Sequence, residues 1–164
     1  QQIYAKFSSK MLSVCRQYIK DIHHAEDVMI TGFMKVFINL KKFEHKGSFE
    51  GWIRRIMIYE CIDFLRVKKN NFNHQDIEDV TISENESVYE MEDFSVDDIQ
   101  NMIDNLPDGY KMVFNLYAIE GYKHQEIAEM LQISEGTSKS QLSNARKLLQ
   151  QQITELKKKL NGTK

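Results

Sequence analysis

The chain has 164 residues, of which 41% are hydrophobic and 28% charged, with a formal net charge of −2, enough for one domain or two small ones around a real core. No stretch approaches the roughly eighteen consecutive apolar residues that cross a bilayer, and Gln1-Gln2 opens no basic-then-apolar leader, so a cytoplasmic protein without membrane insertion is expected. Cys15 and Cys61 lie far apart and lack any CxxC partner, so neither a disulfide nor a zinc site is expected and both read as small buried hydrophobes.

From Tyr4 to about Ile19, Phe7, Met11, Leu12, Cys15, Tyr18 and Ile19 recur at helical spacing, which predicts a helix facing a core. A second helix is expected to open near His24, with Ala25-Glu26-Asp27 placing acidic groups at the positive end of its dipole. It runs on through Phe33, Met34, Val36, Phe37 and Leu40. His23-His24 has no carboxylate, Cys or His at ligand spacing and reads as a surface turn.

A loop, Glu44-His45-Lys46-Gly47-Ser48, leads into Phe49-Glu50-Gly51-Trp52 and a third helix bearing Arg54, Arg55, Arg66, Lys68 and Lys69. Cations interleaved with aromatics suit single-stranded nucleic acid, whose bases stack on rings while its phosphates follow the charges. The same Phe49 and Trp52 also fit a plain core.

Charge then changes abruptly. Residues 1–73 carry 13 Lys/Arg against 7 Asp/Glu, residues 74–108 carry 12 acidic residues and no Lys or Arg, and residues 109–164 carry 9 against 5. Two basic lobes joined by an acidic strap suggest two polyanion-binding modules and a solvated, self-repelling linker. The strap fits either a disordered spacer or a strand-like mimic of nucleic acid lying in a partner's basic groove. A helix is expected to resume near Val96, carrying Ile99, Met102, Ile103 and Leu106 up to Pro107.

In the second lobe Ile127, Ala128, Met130, Leu131 and Ile133 form one apolar stripe; Leu142, Ala145, Leu149, Ile153, Leu156 and Leu160 form another. Between them Ile133-Ser134-Glu135-Gly136 is short, and Ser134 is a good N-cap for the helix that follows. Two short helices, a turn and a longer helix make a helix-turn-helix. Its outward positions Thr137, Lys139, Ser140, Gln141, Ser143 and Asn144 can all hydrogen-bond base edges or phosphates in a major groove. An ordinary helical hairpin with a solvated face fits the same pattern. No HExxH, Gly-rich phosphate loop or GxSxG is present, so no catalytic constellation, metal or cofactor is expected.

Taken together, AEDVMITGFMKVF at Ala25 to Phe37, GSFEGWIRRIMIYECIDFLR at Gly47 to Arg66, and the phrases LP, EGYKHQEIAEMLQIS and GTSKSQLSNARKLL within Leu106 to Leu149 resemble the extracytoplasmic-function (ECF) sigma factors, small bacterial transcription initiation factors of the sigma-70 family. The resemblance covers nearly the whole chain. It implies an all-α fold of two small helical domains: region 2 over residues 1–73, an acidic flexible linker over 74–97, and region 4 over 98–164. It implies a non-enzymatic factor that binds core RNA polymerase and directs it to promoter DNA, with an anti-sigma factor or other recruiting partner. In the family the first lobe pairs with the clamp helices of the largest subunit and melts the −10 element. The second rests on the flap of the second-largest subunit and reads the −35 element, while the linker follows a cationic route through the RNA exit channel.

Residue by residue, the resemblance places Asp27, Ile30, Thr31, Phe33 and Met34 at the polymerase. It places Lys46, Ser48, Phe49, Trp52, Arg54, Arg55, Tyr59, Asp63 and Arg66 at the −10 strand. On the −35 helix it places Thr137, Lys139, Ser140, Gln141, Ser143, Asn144 and Arg146. Three departures from the family stand out: Ile30 and Thr31 replace a polar Gln-Glu pair, Tyr59 replaces an Asn, and Asn144 stands where a basic residue is common. Two other readings stay open on the residues alone: a helix-turn-helix regulator that dimerises through Leu149 to Leu160 and has no polymerase role, and a protein-interaction adaptor with no DNA affinity.

Overall fold

The computed structural model describes residues 2–71 and 94–161. All of its regular elements are helical, and among the described residues no helix is long and apolar enough to cross a membrane. Most of the acidic strap lies outside the described residues. The chain divides into two compact units, Gln1–Asn73 and His74–Lys164.

The first unit packs α1 (Gln2–Tyr18), α2 (Ile22–Ile38) and α3 (Phe49–Asn71) against one another, with a single 3-10 turn at Leu40–Lys42 after α2. Phe7, Met11, Val14, Cys15 and Tyr18 turn inward from α1; Ala25, Val28, Met29, Phe33 and Val36 from α2; Ile53, Met57, Ile58, Cys61 and Ile62 from α3. The three- and four-residue steps of that list are the helical period read from the sequence. Leu12, expected in the core, is only half-buried, because it sits on the flank of the α1 stripe.

α2 begins at Ile22, two residues before the expected His24. Asp21 is the reason, since its carboxylate accepts the His24 N–H at 2.9 Å and satisfies a donor the first turn would leave open. His23 and His24 are exposed in that first turn, beside Glu26 and Asp21 respectively. At Gly32 a Cβ would stand 2.4 Å from Met57 Sδ, so any larger residue there would require the Met57 side chain to shift. One turn further, Lys35 on α2 donates to the nearly buried Glu60 of α3. Cys15 and Cys61 are buried and free; the Cys61 thiol is pushed far up from its ordinary pKa by its hydrogen bond with Cys15 and by burial. Such thiols stay protonated and act as apolar filling.

The second unit contains α4 (Val96–Asp104), α5 (Asp108–Phe114), a π turn at Asn115–Ile119, α6 (His124–Leu131) and α7 (Glu135–Asn161). Ser95 and Asp98 close a reciprocal capping box on α4, with Asp98 N–H donating to Ser95 Oγ and Ser95 N–H to Asp98 Oδ2, both at 3.1 Å. The helix therefore starts at Val96, inside the stretch expected as linker. Pro107 ends that run and sits just before α5, where its missing N–H costs nothing. Leu106, Tyr110 and Ala145 form a buried cluster flanked by Phe114, Leu148 and Leu149, and Met112, Val113, Leu116, Ile127, Met130 and Leu142 are buried as well. Ile153 and Leu156, further along the α7 stripe, are half-buried. The cationic Lys111 is also buried, its Nζ 3.5 Å from the Asp104 carbonyl and 3.9 Å from the Asp108 carboxylate.

Candidate nucleic-acid interface

The helix-turn-helix is α6 and α7. α6 starts with the Glu126 carboxylate accepting the Lys123 N–H at 2.8 Å. It ends at Gln132, whose left-handed backbone (φ 57°) turns the chain sharply. Ser134 then caps α7, its Oγ accepting the Thr137 N–H at 2.9 Å as its residue type foretold. The two helices pack against each other, and Ile127 and Met130 of α6 and Leu142 of α7 are buried.

Not all seven residues expected on the reading helix face outward. Lys139, Ser140, Ser143 and Arg146 are exposed and recur at three- and four-residue steps along one side. Thr137 is half-buried, its hydroxyl 2.8 Å from Ser134 Oγ, and serves the cap. Gln141 lays its amide against Gly109, where a Cβ would come within 3.3 Å of Oε1. Asn144 donates through Nδ2 to the Tyr110 hydroxyl at 3.3 Å. Gln141 and Asn144 are half-buried on the flank of α7 that packs beside α5.

Lys139 pairs with Glu135 at 2.7 Å, and this contact holds the Glu135 carboxyl below its ordinary pKa. A phosphate must compete with that exposed pair, which holds Lys139 only weakly. Further along, the Arg146 guanidinium lies over the Tyr117 ring at 5.7 Å from its centroid. Tyr117 stacks on His124 at 4.7 Å with an interplanar angle of 22°. His124 Nδ1 is 2.9 Å from Oγ of the fully buried Ser138. Neither Tyr117 nor His124 was expected at the site: nothing in the apolar period announces a π turn that swings Tyr117 toward the start of α6.

In the first unit, Trp52, Arg55, Tyr59, Asp63 and Arg66 fall on one stripe of α3, opposite the buried Ile53, Met57 and Cys61. The Arg55 guanidinium stands over Tyr59 at 5.9 Å, and Arg66 pairs with Asp63 at 3.4 Å. Arg54 is half-buried on the flank. Lys46 is exposed in the preceding loop beside Glu44. Ser48 is exposed, and its hydroxyl accepts the Gly51 N–H at 3.0 Å and so caps α3. Phe49 and Trp52 are half-buried in an aromatic cluster with Phe43, at centroid distances of 5.1 to 5.7 Å. Phe7 closes on Phe49 from α1 at 5.9 Å. The rings of Phe49 and Trp52 are therefore partly packed and partly accessible.

The outer face of α2 is apolar where a helix surface is ordinarily polar. Ile30, Met34 and Ile38 are 49%, 59% and 77% exposed, with Phe37 beside them and Asp27 and Thr31 on the same side. Phe33, expected among these contacts, is 2% exposed and packs on Tyr4 at 4.9 Å; it belongs to the core.

Comparison with known proteins agrees with this division. The family model described as Sigma-70 region 2 matches residues 3–71, and that described as Sigma-70, region 4 matches residues 96–149. The chain is 29% identical over 163 residues to the ECF RNA polymerase sigma factor SigW of Bacillus subtilis (strain 168), covering 92% of this chain and 86% of that one. It is 24% identical to the ECF RNA polymerase sigma-E factor of Haemophilus influenzae, covering 94% and 87%. Its fold is similar to that of the sigma factor RpoE solved in complex with the anti-sigma factor NepR from Bartonella quintana, with a TM-score of 0.60 at 19% identity, covering 93% and 95%. A helix-turn-helix regulator without a polymerase role leaves the region 2 match unexplained. The two regions, in this order along one chain, place it in the sigma-70 family: it is an RNA polymerase sigma factor of the ECF type.

Proposed function

We propose that residues 1–73 bind core RNA polymerase and open the −10 element, that residues 98–164 read the −35 element, and that the acidic residues 74–97 link them along a cationic path on the enzyme. The observation that carries the polymerase contact is the exposed apolar stripe Ile30, Met34 and Ile38 on α2, since water-facing apolar surface of this kind marks a protein interface. Asp27 and Thr31 lie beside it and complete a docking face for the clamp helices of the largest subunit. The flap of the second-largest subunit supports the second unit.

At the promoter, Arg55 and Arg66 on α3 follow phosphates while the half-buried rings of Trp52 and Tyr59 receive unpaired bases. Lys139, Ser140 and Ser143 present donors and acceptors to the major groove. The polymerase does the chemistry, and the factor works in the cytoplasm beside it. Because a similar fold was solved with an anti-sigma factor, we assign this chain a partner of that class, which holds it inactive or recruits it. Reconstituting the full chain with core RNA polymerase and sequencing the transcript starts tests the reading. A shared motif pair upstream of the starts is expected. Transcription from the same starts without the chain would remove it.

A further inference from the structure

The Ser138, His124, Tyr117 and Arg146 contacts have no place in base reading or in the apolar core. Arg146 lies eleven residues beyond Glu135, the first residue of α7, which at about 1.5 Å per residue is about 16 Å along the axis. A major groove is about 12 Å wide. A helix that enters it by its N-terminal turns has therefore carried Arg146 to the groove's edge, where phosphates line the backbone.

A free arginine on a helix samples many rotamers and loses that freedom on binding. Here the guanidinium rests on an aromatic face, an arrangement suited to its planar, weakly hydrated cation. The ring it meets is itself held by a second contact. Tyr117 stands in the π turn, whose wider Glu120 N–H to Asn115 carbonyl bond (3.0 Å) and following Gly121 (φ 78°) bring the chain back to α6. π turns recur at functional sites. His124 stacks on Tyr117 and is itself tied to the buried Ser138 hydroxyl on α7.

We propose that Arg146 grips a backbone phosphate at the rim of the −35 groove, with Tyr117 and His124 as the positioning residues that aim it. The assignment rests on the promoter-binding reading above and gives Arg146, so far only placed on the −35 helix, the role of a phosphate clamp. A phosphate contact strengthens binding to any duplex equally and adds about one unit to the salt slope.

The test uses the full chain with core RNA polymerase on a promoter duplex and on one with its −35 segment scrambled, with affinity measured from about 50 to 200 mM salt. Arg146→Ala is expected to weaken binding by the same factor on both duplexes and to lower the salt slope by about one. Across that salt range the wild type then loses about three- to fourfold more affinity than the variant. Tyr117→Leu is expected to weaken binding in the wild-type background and to add nothing once Arg146 is Ala, and Tyr117→Phe, which keeps the ring face, recovers the loss. An unchanged slope in Arg146→Ala, or a loss confined to the intact −35 duplex, overturns the proposal. Equal losses from Tyr117→Leu with and without Arg146 overturn the positioning role. Salt-independent binding by the wild-type chain overturns the promoter-binding reading with it, whereas wild-type salt dependence with Arg146→Ala at the same slope overturns the clamp alone.

Discussion

Ser134 illustrates how one short side chain sets the site. Its Oγ satisfies the Thr137 N–H at the head of α7, and Ser134→Ala is expected to lower the stability of the second unit by about 1 kcal/mol in thermal melts, with Ser134→Asp retaining most of it. On the same helix Ser140→Ala and Ser143→Ala should relax the −35 preference, each by about 1–3 kcal/mol if the hydroxyl meets a base edge. Asn144→Ala should leave the preference intact if Asn144 serves only to brace α7 on the Tyr110 hydroxyl; a change in the selected −35 sequence in that variant would instead make it a base reader. In the first unit Asp21 titrates with the fold. Its carboxyl is held below the ordinary 3.8, first by the backbone N–H of His24, so its contribution is present above that value and fades as pH falls through the lower native one. Wild-type chain should therefore lose more thermal stability between about pH 5 and pH 3 than Asp21→Asn, which caps without titrating. Parallel pH profiles for the two would refute this.

At the scale of the element, α2 is asked to do two things at once. Its inner face must let α3 come close, which Gly32 permits, and Gly32→Val should destabilise the first unit by about 2–3 kcal/mol, because the fully buried Met57 has nowhere to move. Its outer face carries Ile30 and Thr31 in place of the family's polar pair. Ile30 is half in solvent, so core packing does not account for it. The proposed docking face would account for it, if the partner offers a matching apolar surface. Ile30→Gln with Thr31→Glu should then weaken binding to the natural partner and leave the melting profile unchanged; tighter binding to core polymerase by this folded double variant would point instead to a lost polar contact.

Across the whole molecule, each unit has its own buried core, with Met11, Phe33 and Met57 in one and Leu116, Ile127 and Ala145 in the other. Fragments spanning 1–73 and 94–164 should each be helical by circular dichroism and melt cooperatively alone. A fragment that gains its helicity only when the other is added would show that the cores depend on each other.

Sequence alone was sufficient for whatever depends on near neighbours along the chain: the helical period, the Ser134 cap, the break at Pro107, the partition of charge, and the motif order that carries the family. These are short-range properties, and a packed fold preserves them. Which face of a periodic helix meets a neighbour is decided only when a second helix arrives. That is why Phe33, read as a contact, is buried in the core; why Gln141 and Asn144 lie beside α5; and why the Ser48 hydroxyl also caps α3. The Tyr117, His124 and Arg146 stack lies at the far end of this scale. Its residues come from the π turn, α6 and α7, and only the folding of those three elements against one another puts a planar cation over a ring.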